Sequence, residues 1–138
     1  MDVKQERTQW RDLELSKRHR QWGWDCPALD IDELFLEYDL GKAIALVEYK
    51  NERAVTQYPN HPTYRALVDL GDRANIPVFA VRYTHDFSLW KITPLNSSAK
   101  KYINNQVQMT EKEYVELLYK IRGRIMPPDL LSNLNTEI

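Results

Sequence analysis

Four ionisable side chains, Asp30 and Asp32 before a tight turn and Glu48 and Lys50 after it, stand at spacings that bring them together if the segment between them folds back on itself. The segment Asp30 to Lys50, DIDELFLEYDLGKAIALVEYK, has the pattern to do so. Its first arm alternates with period two, so Asp30, Asp32, Leu34, Leu36 and Tyr38 share one face, and Ile31, Glu33, Phe35 and Glu37 share the other. In the second arm Ile44, Leu46, Glu48 and Lys50 share a face opposite Ala43, Ala45, Val47 and Tyr49. Asp39-Leu40-Gly41 suits a hairpin loop whose last position is left-handed and so wants glycine. Pairing Tyr38 with Lys42 then sets Leu36 against Ile44, Leu34 against Leu46, Asp32 against Glu48 and Asp30 against Lys50. Directly opposed side chains have Cβ atoms about 4.5–5.5 Å apart, so Asp32 and Glu48 would repel unless a positive charge lies between them. A divalent cation meets that demand. The bland alternative is a surface hairpin with exposed cross-strand ion pairs. The Leu34, Leu36, Ile44 and Leu46 face beneath the charges, expected to point at a core, weighs against it.

An acidic residue on one strand, followed across a hairpin by Glu48-Tyr49-Lys50 at the end of a hydrophobic strand, resembles the PD-(D/E)xK nuclease superfamily. The resemblance covers about Glu6 to Tyr83, with its sharp motif confined to Asp32, Glu48 and Lys50. The Pro-Asp pair is absent, Pro27 lying upstream of Asp30, and the hairpin register selects Asp32 over Asp30. The resemblance implies an α/β fold with an αβββαβ core, a mixed sheet flanked by helices, to which this chain would add a strand and a C-terminal helix. It implies Mg2+, with Mn2+ as a substitute, held by Asp32, Glu48 and the Tyr49 carbonyl, and Lys50 positioning or activating the attacking water. The implied activity is hydrolysis of nucleic-acid phosphodiesters, DNA first. The implied alternative is an inactive nuclease fold serving as an adaptor for nucleic acid or a protein. In this superfamily an acidic residue of the first helix also often joins the metal, and spacing leaves Glu6 and Glu14 both open.

The elements that must carry these residues follow from pattern. A helix is expected from about Lys4 to Gln21, with Glu6, Trp10, Leu13 and Lys17 in one stripe and a basic last turn, Lys17-Arg18-His19-Arg20, that complements the helix dipole. Trp22 to Pro27 leads to the hairpin, with room for a short edge strand. After Lys50 a loop, in which Arg53, Gln57, Tyr58 and His61 are candidate substrate contacts, runs to a second helix opened by Pro62 with Tyr64, Leu67, Val68 and Gly71 inward. Val78 to Tyr83 is nearly all apolar, as a central strand is, and a right-handed crossover would lay it parallel to the strand bearing Glu48. A turn at Thr84-His85-Asp86 precedes a strand from Phe87 to Thr93. The polar stretch to Gln108 reads as loop or weak extended structure. Thr110 and Glu113 form a capping box for a last helix with Tyr114, Leu117, Leu118 and Ile121 inward, ended by Gly123. Leu130, Leu131 and Leu134 in the tail suit packing on the domain or on a second copy.

Composition sets the outer limits. A chain of 138 residues with 43% hydrophobic residues can form one domain, a core over about residues 5–95 and a helical extension over about 108–138. A net charge of −1 means that any nucleic-acid surface must be a local patch. The single cysteine, Cys26, forms no internal disulfide and fits a reducing cytoplasm, and with no basic-then-apolar opening and no membrane-length apolar run in this sequence a cytoplasmic protein is expected. Four glycines and the spacing around them make no phosphate loop or dinucleotide fingerprint, and no GxSxG elbow occurs. Cys26 with His19 or His61 as a nucleophile pair, and His85 with Asp86 as metal ligands, lack specific spacing.

Overall fold

The structure, a computed structural model, describes residues 13–22, 27, 29, 31–55 and 60–134. The chain divides into two units, Met1–Asp30 and Ile31–Ile138. The described part of the first is helix α1, Leu13–Gln21, whose Lys17 reaches Glu14 at 3.6 Å and whose His19 ring packs on Trp22. Glu6, Trp10 and residues 23–26, where a short edge strand is expected, lie outside the described residues.

The second unit is an α/β layer structure on a five-stranded mixed sheet in the order β1-β2-β3-β4-β5. In chain order the elements are β1 Glu33–Glu37, β2 Lys42–Asn51, α2 Pro62–Ala74, β3 Val78–Tyr83, β4 Trp90–Pro94, a short α3 Ser97–Lys100, β5 Val107–Met109 and α4 Glu111–Arg122. Strand β3 runs parallel to β2, as the crossover rule requires, and the other neighbours are antiparallel. Its central place explains its apolar sequence: Val78, Phe79 and Val81 are all buried, on alternating faces. One face carries Val47, Phe79, Val81 and Ile92 against Tyr114 and Leu117 of α4. The other carries Leu46 and Val78 against Leu67 of α2 and Ile76. Gly71 lets α2 come this close, since a Cβ there would lie 2.2 Å from the Val78 side chain. Helix ends follow their sequence signals: Asn75 and Gly123 take left-handed caps, and Thr110 and Glu113 form the reciprocal capping box.

The hairpin departs from expectation in three ways. The loop is a four-residue turn, Tyr38 to Gly41, with Gly41 left-handed as expected, so Lys42 pairs with Glu37 and not with Tyr38. Further on, Leu36 opposes Ala43 and Phe35 opposes Ala45, leaving Ile44 as the extra residue of a β-bulge. The longer loop and the bulge cancel, and Leu34 pairs with Leu46 as first reckoned. Third, Leu34 and Leu36 are exposed and not core-facing, because β1 is the edge of the sheet among the described residues and the described contacts of α2 fall on β2 and β3.

Two other elements differ. The strand expected from Phe87 starts only at Trp90, because Phe87 is held at φ 62° in a turn whose carbonyl accepts the Trp90 indole N–H. The stretch read as loop contains α3 and β5, organised by the buried Asn96, whose side chain accepts from Val78 N and Ala99 N and donates to the Ile76 carbonyl and to Asp72.

Candidate active site

Strand β2 positions the site because its apolar core segment, Ala45 to Val47, is fixed between both helices, and the residues that follow leave the core at a defined height. Glu48 and Lys50 continue the Leu46 face towards the carboxyl ends of the parallel pair, where α/β sheets offer crevices. Tyr49 turns the other way and meets Tyr114, hydroxyl to hydroxyl, and burial pushes its phenol up to about 12.

Glu48 is the unusual group. It is 6% exposed, and its Oε2 is the one buried side-chain oxygen or nitrogen without a hydrogen-bond partner among the described residues. Lys50 Nζ lies 3.6 Å from Oε1, too long for a good hydrogen bond. Burial raises the Glu48 pKa first, the charge of Asp32 raises it further, and Lys50 only partly offsets both.

Asp32 lies just before β1. Its Oδ2 accepts the Tyr49 backbone N–H at 2.9 Å, where β1 no longer continues to pair with β2. The N–H and C=O of one strand residue point to the same side. The Tyr49 carbonyl therefore faces the same margin as Asp32. Asp32, Glu48, Lys50 and the Tyr49 carbonyl are thus brought into one neighbourhood at the ends of β1 and β2, and Asp30 lies outside the described residues.

The donors suit a hard cation. Among the described residues no group of three or more His, Cys, Asp or Glu side chains converges, so the side-chain donors number two carboxylates. Mg2+ is commonly bound by one or two carboxylates, with water and substrate oxygens completing the shell. Mn2+ accepts the same oxygen donors. An orphaned buried carboxylate oxygen beside a second carboxylate is what such an ion would satisfy.

The remaining candidates have other employment. Glu14 is exposed and paired with Lys17. His61 caps α2, its Nδ1 accepting the Thr63 N–H at 3.2 Å. Arg53 sits in an exposed turn, and Gln57 and Tyr58 lie outside the described residues, as does Cys26. Asp86 builds the β3–β4 turn by accepting from Ser88 and Thr84, which lowers its pKa to about 2, and His85 beside it is exposed.

Compared with protein-family models, with curated proteins and with solved structures, the chain gives no match in any of the three.

Beside Glu48 a pocket of about 190 Å³ opens on the same face of the sheet, and Arg82 and Lys91, paired across β3 and β4, line it. These two escaped the sequence reading. Arg82 is the only charge in the otherwise uncharged β3, and that interruption was the signal that could have found it. Lys91 follows only once the β3–β4 register is known.

Proposed function

We propose that the protein is a divalent-metal-dependent nuclease of the PD-(D/E)xK kind, hydrolysing phosphodiester bonds of nucleic acid, DNA first, with Asp32, Glu48 and Lys50 as its working residues. The observation that carries the reading is Glu48: a buried carboxylate with a raised pKa, an unmet oxygen, a second carboxylate beside it and a lysine on its own face. A glutamate kept in this state without a cation costs the fold stability, because its charge is desolvated and incompletely paired. Asp32 and Glu48, with the Tyr49 carbonyl, would hold Mg2+ or Mn2+. The bound ion would supply Lewis acidity and a water of lowered pKa. Lys50, partly exposed and only loosely engaged with Glu48, is free to orient the attacking water and to offset the charge that grows on the phosphate. Tyr49, anchored through Tyr114, fixes the strand that presents Glu48 and Lys50, and its backbone N–H holds Asp32.

One observation favours a second reading, the catalytically inactive adaptor: Asp32 already commits one oxygen to the Tyr49 amide, a bond that serves the fold whether or not an ion binds. Incubation with supercoiled plasmid, single-stranded DNA and RNA separates the two. Cleavage that needs Mg2+ or Mn2+, stops with EDTA and is lost in Lys50→Ala supports the nuclease. Binding without cleavage of any of these substrates supports the adaptor.

A further inference from the structure

The pocket beside Glu48 has a composition of its own. Its floor is apolar, made by Ala80, Leu95 and the ring of buried Tyr64, and its rim is cationic. Lys50, Arg82 and Lys91 come from three adjacent strands onto one face, with Glu48 the only acidic residue of the lining among the described residues. With Asp32 beside Glu48, the described residues here set three cations against two carboxylates, a local positive balance in a chain of net charge −1. The cations are not equivalent. Arg82 spends part of its guanidinium on the Glu52 and Ala54 carbonyls, at 2.6 and 2.9 Å, and so stiffens the chain as it leaves β2. Lys91 has no ion pair among the described residues.

Size decides what such a pocket could take. A dry cavity of about 150 Å³ holds a benzene ring, so about 190 Å³ has room to seat one base or sugar and not a stacked base pair within it. An apolar floor for a ring and a cationic rim for its phosphates is the chemistry of a single nucleotide unit. On the far side of the rim, Gln106 Nε2 donates to Thr93 Oγ1 at 2.8 Å, and both side chains line the pocket with polar atoms suited to a base edge or sugar hydroxyl.

The geometry points to a nucleotide subsite here, which takes one unpaired residue of the strand adjoining the scissile phosphate, with Lys91 as its main phosphate contact, so that the substrate is single-stranded or frayed nucleic acid and not intact duplex. This rests on the nuclease reading for the identity of the neighbouring reaction, but not for binding.

The test is fluorescence anisotropy of the full chain in EDTA, with a labelled oligothymidylate and with a blunt duplex of equal length, over a series of salt concentrations. The single strand is expected to bind more tightly than the duplex. Lys91→Ala should weaken its binding several-fold and reduce the slope of log affinity against log salt by about 0.7, the share of one phosphate contact on a single strand. Lys91→Arg should restore both, and Lys112→Ala, on α4, should change neither. Equal affinity for the two forms, no binding of either, or a Lys91→Ala protein with the wild-type salt slope would overturn the subsite. The two proposals fail separately. Selective single-strand binding without metal-dependent cleavage would remove the nuclease and leave the subsite, and cleavage without strand preference would do the reverse.

Discussion

Glu37 and Glu48 lie on the two arms of one hairpin and are almost equally buried, at 5% and 6% exposure, yet their surroundings are opposite. Glu37 is hydrogen-bonded to Arg122 Nε and lies 2.9 Å from Arg124 Nη2, so both of its oxygens are paired. Its pKa is lowered, chiefly by the Arg122 hydrogen bond. Glu48 has a single lysine at 3.6 Å, an orphaned Oε2 and a raised pKa. The comparison teaches what burial alone conceals. A buried carboxylate that ties α4 and the residues after it back to β1 is completed by the chain itself, whereas Glu48, which we propose to be a metal ligand, is left with one oxygen unmet.

The largest expected effect is on catalysis, and it comes from removing the cation partner of each glutamate in turn. Lys50→Ala should lower metal-dependent cleavage by at least about 100-fold, the scale of removing a group that positions a proton or stabilises a transition-state charge. It should leave metal binding nearly intact, as read by titration calorimetry. Arg122→Ala should leave any metal-dependent cleavage by the folded protein unchanged and lower its melting temperature. If Arg122→Ala abolished cleavage as fully as Lys50→Ala, the division between structural and reactive glutamate would collapse.

Next in size is a difference in sign between the two glutamates in thermal melts with EDTA at neutral pH. Glu37→Gln should melt below the wild type, since two arginines lose their counter-charge. Glu48→Gln should melt at or above it, since a desolvated charge repelled by Asp32 is removed at nearly constant volume. Destabilisation by both would make Glu48 an ordinary structural residue.

A smaller effect of the same origin lies in pH dependence. The lowered pKa of Glu37 means that its contribution to stability is present above the ordinary carboxylate range and is lost as pH falls through its folded value. The raised pKa of Glu48 works the other way: without metal, its protonated form favours the fold, and stability declines as pH rises from the ordinary range through the folded value. Melts in EDTA across that interval should lose the second trend in Glu48→Gln and keep the first. An unchanged profile would mean that Glu48 carries no strain.

Much of this was legible in the chain, for identifiable reasons. Period two in Ala43 to Lys50, the apolar run of β3, Pro62 and the Thr110–Glu113 box are local signals, and the elements they announce are present. The Asp32–Glu48 neighbourhood was reached through a register in which a longer loop and a bulge at Ile44 offset each other, neither of which has a local signature here. Whether the Leu34 and Leu36 face would be covered depends on which strands α2 spans, which is a tertiary matter. The stretch around Asn96 reads as loop because the role of Asn96, joining the end of α2 to the start of β3 and α3, exists only in three dimensions. Glu37 looked like one more strand charge because its partners stand 85 residues away or more.

The most direct measurement is the melting temperature of the wild type, Asp32→Asn and Glu48→Gln with EDTA and with millimolar Mg2+ or Mn2+. Asparagine at position 32 keeps an acceptor for the Tyr49 N–H, so it tests the charge and not the hydrogen bond. The wild type is expected to be stabilised by the ion, by about 2.7 kcal/mol if the free metal exceeds its Kd a hundred-fold. Both variants should lose that response while melting no lower than the wild type in EDTA. A metal response of wild-type size in either variant would contradict a cation site built on Asp32 and Glu48.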